Sequence, residues 1–276
     1  MSGVTDLHGK TAFITGGASG IGFATAKALV RGGARVALGD LNADELGRAA
    51  EELRGMQAQV STHQLDVRDR AAMHDAAAKV ERDWGAVHIL FNNAGLGAGG
   101  TMQTTSPEEW DLCIGVNLNG VYNGIHAFVP AMIAHGLGGH VVSTASMSGL
   151  LPSAGLGPYT ASKFAVVGLS ECLRMDLEPH GIGVSVLCPG FVRTGLHETN
   201  ARHAPRPPSD DPASVEARRR LDKALANGVD PDEVGQAVAA GILANTPWII
   251  THPKYRAKVE ERMTALLAAF GPGVPA

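Results

Sequence analysis

Cysteine is scarce. Cys113, Cys172 and Cys188 are the only three in 276 residues. An odd number with no Cys-x-x-Cys pair fits a reducing compartment and excludes a disulfide framework or a thiolate zinc site. The eleven histidines form no His-x-x-x-His or His-Glu-x-x-His pattern, so no metal is expected. Positive charge is not in excess: 23 Lys and Arg stand against 27 Asp and Glu, a net charge of −4, which argues against a nucleic-acid binder. Charge of either sign is missing from one long stretch, since no Asp, Glu, Lys or Arg occurs from Leu112 to Ser162. That stretch does not read as a membrane span, because Asn117, Asn119, Asn123, Pro130, His135 and the Gly136–Gly139 run interrupt every window. It reads as the buried centre of the protein, with room for a subunit contact. Residues 1–10 carry no apolar targeting segment, and the expected location is the cytoplasm.

What is present is an ordinary globular profile, 45% apolar and 18% charged, with length for a sizeable core. The β-prone run Thr11–Thr15 leads straight into Gly16-Gly17-Ala18-Ser19-Gly20-Ile21-Gly22, then a helical pattern that ends at Gly32-Gly33. A second strand, Arg35–Asp40, ends in an acid. Strand, glycine-rich turn, helix, strand and acid form the layout of a dinucleotide-binding βαβ unit. The glycines let the backbone approach a pyrophosphate, and the helix N-terminus offers free N–H groups and a positive dipole end. Gly16, Ser19, Gly20, Ile21 and Gly22 are the candidate phosphate cradle. Asp40, 24 residues after Gly16, is placed to accept from an adenosine ribose.

Strand and helix patterns then alternate. Asn42 with Glu45 reads as a capping box for a helix ending near Gly55. A third strand is expected at Gln59–Leu65, a helix from Arg68 to Trp84, and a fourth strand at Val87–Phe91 followed by Asn92-Asn93-Ala94-Gly95. Ser106-Pro107-Glu108-Glu109 opens a helix running to about His135 with a bend near Gly120 or Gly124. A fifth strand, His140–Thr144, precedes Ser146. A helix from Pro158 to Glu178, a sixth strand Gly183–Cys188, a polar Pro-rich stretch over Gly195–Pro212, helices at Ala213–Ala226 and from Asp230, a strand Trp248–Thr251 and a last helix from Pro253 complete the chain. The alternation predicts one α/β domain: a doubly wound parallel sheet of about seven strands with helices on both faces.

The reactive pair is Tyr159 and Lys163. Four residues apart on a helix, they share one face, a phenol beside an ammonium whose charge is expected to lower the phenol pKa. Ser146 lies 13 residues before Tyr159, so a loop can return the tyrosine beside it and the two hydroxyls can hold one carbonyl or alcohol oxygen. In open α/β sheets the ligand lies beyond the carboxyl ends of the strands, where these residues fall. With Thr15–Gly22, Asn92–Gly95, Asn117, Ser146, Tyr159/Lys163 and Pro189-Gly190-Phe191-Val192-Arg193-Thr194 in order, the chain from about Gly9 to Thr194 resembles the short-chain dehydrogenase/reductase family.

The resemblance implies roles. Tyr159 would be the general acid/base, Lys163 would lower its pKa and hold the nicotinamide ribose, and Ser146 would bond the substrate oxygen. Asn117 would anchor a water in a proton relay through Lys163. Asn93, Ala94 and Gly95 would support the cofactor, Asp66 and Val67 would flank the adenine, and Pro189, Gly190, Val192 and Thr194 would line the nicotinamide end, with Thr194 on the carboxamide. Asp66 also reads as a helix N-cap. NAD is expected over NADP, because Asp40 repels a 2′-phosphate, residue 41 is Leu, and Ala18 and Ser19 supply no cation.

The C-terminal part departs from the family pattern. Trp248–Pro253 replaces a Gly-rich tail that helps form tetramers, so a homodimer through the helices at 107–135 and 158–178 is expected, with a homotetramer still open. Residues 195–227 read as a substrate lid. Leu96, Leu150, Leu151, Leu156, Phe191 and Leu196 are candidate walls of an apolar pocket for a bulky or aromatic secondary alcohol or ketone, and the C-terminal half resembles the branch of lignin-fragment Cα-dehydrogenases. Arg218-Arg219-Arg220 reads as a solvated helix face beside Glu216 and Asp222, or as a contact for an anionic substrate group. Three other readings are an NADP-dependent ketone reductase, a silent dinucleotide sensor and a serine hydrolase through Ser146; the last lacks a Gly-x-Ser-x-Gly elbow.

Overall fold

The computed structural model describes residues 3–97, 100–205 and 211–271, with the side chains of 197, 213, 214 and 217 outside that description. Seven strands make one sheet: Thr11–Thr15 (β1), Arg35–Asp40 (β2), Val60–Gln64 (β3), Ile89–Asn92 (β4), Gly139–Thr144 (β5), Ile182–Cys188 (β6) and Trp248–Ile250 (β7). Every neighbouring pair is parallel, in the order β3-β2-β1-β4-β5-β6-β7. The order reverses between β1 and β4, which opens a crevice beyond the strands' carboxyl ends. The helices are Gly20–Arg31 (α1), Ala43–Gly55 (α2), Arg70–Trp84 (α3), Pro107–Ile114 (α4), Gly120–His135 (α5), Gly157–Leu177 (α6), Leu196–His203 (α7), Pro212–Ala226 (α8), Pro231–Leu243 (α9) and Arg256–Ala268 (α10).

The two faces of the sheet follow from alternation along the strands. Ala12 and Ile14 of β1 enter a core with Leu29 of α1, Leu53 of α2 and Val238 of α9. Phe13, between them, enters the opposite core with Met73 of α3 and Phe128 of α5, its ring 4.4 Å from that of Phe128. Helices on both faces explain why β1 and β6 are buried at every position, as parallel strands require. Gly235 lets α9 press on α1, because a Cβ there would sit 2.5 Å from the Ala24 carbonyl oxygen.

Helix starts are set by side-chain caps. Ser106 and Glu109 form a reciprocal capping box with Pro107 behind them. Asn42 caps α2 through the N–H groups of Asp44 and Glu45, but the box expected with Glu45 is half-made, because the Asn42 N–H goes to Asp40 Oδ1 instead. Asp69, not Asp66, caps α3 through the Ala72 N–H, so the helix starts at Arg70 and leaves Asp66 and Arg68 in the loop before it. The bend expected near Gly120 or Gly124 lies one turn earlier, as a π-helical turn over Gly115–Asn119. The Gly195–Pro212 stretch, read as irregular, contains α7; its Glu198 in the first turn and Arg202 and His203 in the last match the helix dipole.

Two buried histidines make the fold acid-sensitive. His140, fully buried, bonds Ser185 Oγ through Nε2 at 2.7 Å. Burial, with Arg174 nearby, pushes its pKa down to about 3, and burial pushes His88 down to about 4. The unfolded chain protonates both near pH 6.5 while the folded chain does not, so stability is full above pH 6.5 and falls as the pH drops through 4 toward 3. Inside that window each histidine is expected to cost about 1.4 kcal/mol per pH unit. The urea midpoint should fall between pH 6.5 and 4, and less steeply in His140→Leu; a flat midpoint in the parent protein would contradict the assignment.

Candidate active site

The crevice holds a cavity of about 490 Å³ beyond β1, β2, β4, β5 and β6. At its centre is the start of α1. Ser19 at the N-cap makes no side-chain cap bond, and the first turn carries no acid. The N–H groups that open the helix are therefore left to a ligand, with Ser19, Gly20 and Ile21 lining the cavity. Gly16 has φ +61, and a Cβ on it would come within 2.9 Å of the Ala94 Cα. Gly22 does not line the cavity. It is buried behind the turn, where a Cβ would lie 2.1 Å from the Gly16 carbonyl oxygen, so it shapes the cradle rather than touching its contents. Uncapped donors in a glycine-rich cradle fit a pyrophosphate.

The cradle is anchored from β4. Asn93 Nδ2 donates to the carbonyls of Thr15 and Gly16, and its Oδ1 accepts from Thr144 Oγ1 on β5. On the other side, Asp40 accepts from the Ala18 and Asn42 N–H groups at 3.2 and 3.1 Å. Burial pushes the Asp40 carboxyl up despite these donors, and the negative charge of Glu45 pushes the same way. Leu41, Asp66, Val67, Ala94 and Gly95 line the same cavity.

Ser146, Tyr159 and Lys163 meet at the far end. Ser146 leaves β5 and caps a short turn by accepting from the Ser148 N–H at 3.1 Å. Its hydroxyl reaches the Tyr159 phenol. Lys163, one turn along α6 and 3% exposed, donates to the Thr144 carbonyl at 2.8 Å. Burial pushes its pKa down to about 8. The expected lowering of the Tyr159 pKa is corrected: burial raises it, and the Ser146 hydrogen bond offsets only part of that. The reason is the desolvation of the phenol itself. Lys163 Nζ stands over the ring, 5.6 Å from its centroid, and is itself poorly solvated.

Asn117 stands behind this wall, fully buried in the π-helical turn. Its Oδ1 accepts from the Leu96 N–H at 2.7 Å, and its Nδ2 donates to the Leu96 carbonyl at 2.8 Å and to Ser162 Oγ at 3.2 Å. Gly95 lies between Asn117 and Lys163; a Cβ there would come 3.2 Å from Asn117 Oδ1 and 3.5 Å from Lys163 Nζ.

Pro189, Gly190, Val192, Thr194, Leu96 and Leu196 line the cavity as expected, whereas Leu156 and Phe191 do not. Leu156 forms an isolated bridge with Gly100, and Phe191 points outward at 39% exposure. Leu150 and Leu151 pack against the core between α6 and β6. Arg219 and Arg220 are exposed, Arg220 is paired with Glu216, and none of the three arginines lines the cavity.

Chain order hid the cations that line the cavity. Arg68 and, from α7, Arg202 both do so, with Thr199 and His203 beside the latter. The expectation that no cation stands near Asp40 is thereby corrected. Each is tied to an acid: Arg68 to Asp66, from 2.6 Å, and Arg202 to Glu45 at 3.2 Å. Asp66 is held below the usual carboxylate range by its bonds to Arg68, which outweigh the upward push of burial. The 199, 202, 203 spacing is one helix face, a signal readable only once α7 is known to be helical. Asn200, on the same helix, accepts from the Gly97 N–H at 2.8 Å and ties α7 to the loop after β4.

This geometry has close counterparts. The family described as short chain dehydrogenase matches residues 10–204. The chain belongs to the short-chain dehydrogenase/reductase family. A C alpha-dehydrogenase from Sphingobium sp. strain SYK-6 is 37% identical over 97% of this chain and 88% of its own length. A short-chain dehydrogenase/reductase from Burkholderia phymatum, solved in complex with NAD, superposes with TM-score 0.92 at 35% identity over 99% of both chains. The apo form of LigD from Sphingobium sp. strain SYK-6 superposes with TM-score 0.82 at 35% identity, over 97% of this chain and 100% of its own. This short-chain dehydrogenase/reductase is therefore an oxidoreductase with a nicotinamide dinucleotide site.

The Asn117 clasp carries a stability prediction. Asn117→Ala leaves the buried Leu96 N–H and carbonyl unpaired and should cost about 2–4 kcal/mol. Urea unfolding measures it; a midpoint within error of the parent would show that the clasp contributes nothing.

Proposed function

We propose that the protein is an NAD-dependent oxidoreductase that interconverts a secondary alcohol and a ketone, with an apolar, bulky or aromatic substrate. The observation that carries this reading is the convergence of Ser146, Tyr159 and Lys163 at one end of a cavity whose other end is built around the start of α1 and Asp40. A bound nicotinamide dinucleotide supplies the hydride acceptor or donor. Gly16, Ser19, Gly20 and Ile21 would hold its pyrophosphate, Asp40 its adenosine ribose, Asp66 and Val67 its adenine, and Pro189, Gly190, Val192 and Thr194 its nicotinamide end. Tyr159 Oη exchanges the proton with the substrate oxygen, taking it in oxidation and returning it in reduction. Ser146 Oγ bonds the same oxygen and steadies charge that develops there. Lys163, held on Thr144, would hold the nicotinamide ribose hydroxyls, and Asn117 orders the Leu96 backbone beside it.

An apolar substrate is supported by Leu96, Leu112, Val116, Leu196 and Leu225 in the cavity wall. Similarity to a C alpha-dehydrogenase supports an aryl secondary alcohol in particular. Residues 195–227, of which 206–210 lie outside the described residues, act as the lid, a homodimer is the expected assembly, and the cytoplasm is the expected location. Among the described residues no helix is long and apolar enough to cross a membrane.

With a panel of aryl and alkyl secondary alcohols, reduction of NAD followed at 340 nm should show turnover. Tyr159→Phe should keep NAD affinity and lose about 10²–10⁴-fold in kcat, the usual span for a general acid–base group; near-normal kcat would refute the role. Cofactor binding without turnover on any alcohol or ketone would favour a silent sensor.

NAD should exceed NADP in kcat/KM, because Asp40 is an anion at the ribose and Glu45 neutralises Arg202. Glu45→Gln releases Arg202 and should raise kcat/KM with NADP about tenfold, the scale of one charge-assisted contact. A parent enzyme faster with NADP would overturn the preference.

A further inference from the structure

We propose that His252 is a positioning residue that clamps the Pro189–Phe191 loop into the shape the cofactor needs, a role that rests on reading the cavity as a dinucleotide site. The loop leaves β6 and lines the cavity through Pro189, Gly190 and Val192, while Phe191 turns outward. It has lost its strand partners there, because β7 stops at Ile250. His252, just past the end of β7 and 4% exposed, replaces them from the outside. Its Nδ1 accepts from the Gly190 N–H at 3.0 Å, and its Nε2 donates to the Phe191 carbonyl at 3.0 Å. Thr251 Oγ1 also meets Nδ1, at 2.9 Å. The loop's other edge is held by the catalytic segment: the Pro189 carbonyl accepts from the Met147 N–H at 2.8 Å and from Ser146 Oγ at 3.5 Å. Gly190 is thus fixed between the residue that bonds substrate oxygen and an imidazole against its back. A Cβ on Gly190 would lie 2.8 Å from the His252 ring and 3.0 Å from Tyr255, so the contact has no slack.

The clamp works only with neutral imidazole of one tautomer. Nδ1 must accept, so the proton sits on Nε2. A second proton would set an N–H against the Gly190 N–H. Burial holds His252 below the ordinary histidine range, partly against the pull of the Phe191 carbonyl; Lys254 is the charged group facing the ring, and Tyr255 the titratable one, its ring centroid 6.2 Å away. The neutral form therefore persists at pH 7 and is lost as the pH falls from 6.5 through the lowered pKa.

Calorimetric titration with NAD⁺ tests the clamp on the intact enzyme. His252→Phe keeps the ring volume and loses both hydrogen bonds; its Kd for NAD⁺ at pH 7.5 should rise about tenfold. His252→Asn keeps an acceptor near Nδ1 and should recover part of that loss. As the pH falls from 7.5 the parent Kd should rise more steeply than that of His252→Asn. A folded His252→Phe that binds NAD⁺ within twofold of the parent would overturn the proposal. If His252→Phe does not fold, an affinity in His252→Asn that falls with acid as steeply as in the parent would overturn it equally. Failure of the parent itself to bind NAD⁺ would instead overturn the dinucleotide reading of the cavity.

Discussion

A parallel strand offers backbone partners only as far as its neighbours run, and at the carboxyl edge of this sheet every strand ends while the chain goes on. The N–H and carbonyl groups of the next few residues are buried and need other partners. Polar side chains supply them. Asp40 takes the N–H groups of Ala18 and Asn42, Asn93 spans Thr15 and Gly16, and Asn117 pairs both backbone groups of Leu96. Lys163 bonds the carbonyl of Thr144, and His252 brackets Gly190 and Phe191. The residues that line or support the cavity are thus largely those that solve a backbone accounting problem. Site and fold share one set of hydrogen bonds, which keeps the loops rigid around a ligand.

The second constraint is electrostatic. Between Leu112 and Ser162 the chain carries no full charge, and Lys163 sits at the edge of that stretch. Its ammonium donates to the Thr144 carbonyl of β5 and has the thiols of Cys113 and Cys188 near it. Desolvation then governs both members of the reactive pair: the lysine pKa is pushed down and the tyrosine pKa up. The absence of acid from this stretch has a consequence for chemistry as well as for packing.

At the end of the cavity around Asp40 the balance is reversed, and charges are plentiful but paired. Arg68 is bound to Asp66 and Arg202 to Glu45, leaving Asp40 as an acid bonded to backbone N–H groups alone. The Arg202–Glu45 pair joins α7 to α2 across the cavity mouth, and the Asn200–Gly97 bond ties the same helix to the β4 side. Exposed ion pairs of this kind contribute little to stability. Their effect is to orient α7 and to pair a cation that lines the cavity.

Local pattern determined most of the architecture. Alternating β-prone runs and amphipathic helices, with caps at Asn42, Ser106 and Asp230, are enough to predict a doubly wound parallel sheet, because each such signal lies within a few residues of the element it sets. The glycine turn, Asp40, Ser146, Tyr159 and Lys163 were legible for the same reason, as residue types at short spacings. The tertiary structure decided whatever depended on contacts between distant segments. It set the π-helical turn that aims Asn117 at Leu96, the outward turn of Phe191, and the bridge that ties Leu156 to Gly100. It brought Arg202 to Glu45 and His252 to Gly190, pairs 157 and 62 residues apart. It also reversed the expected direction of the Tyr159 pKa, since spacing places a lysine beside a tyrosine but only packing determines how much water either one keeps.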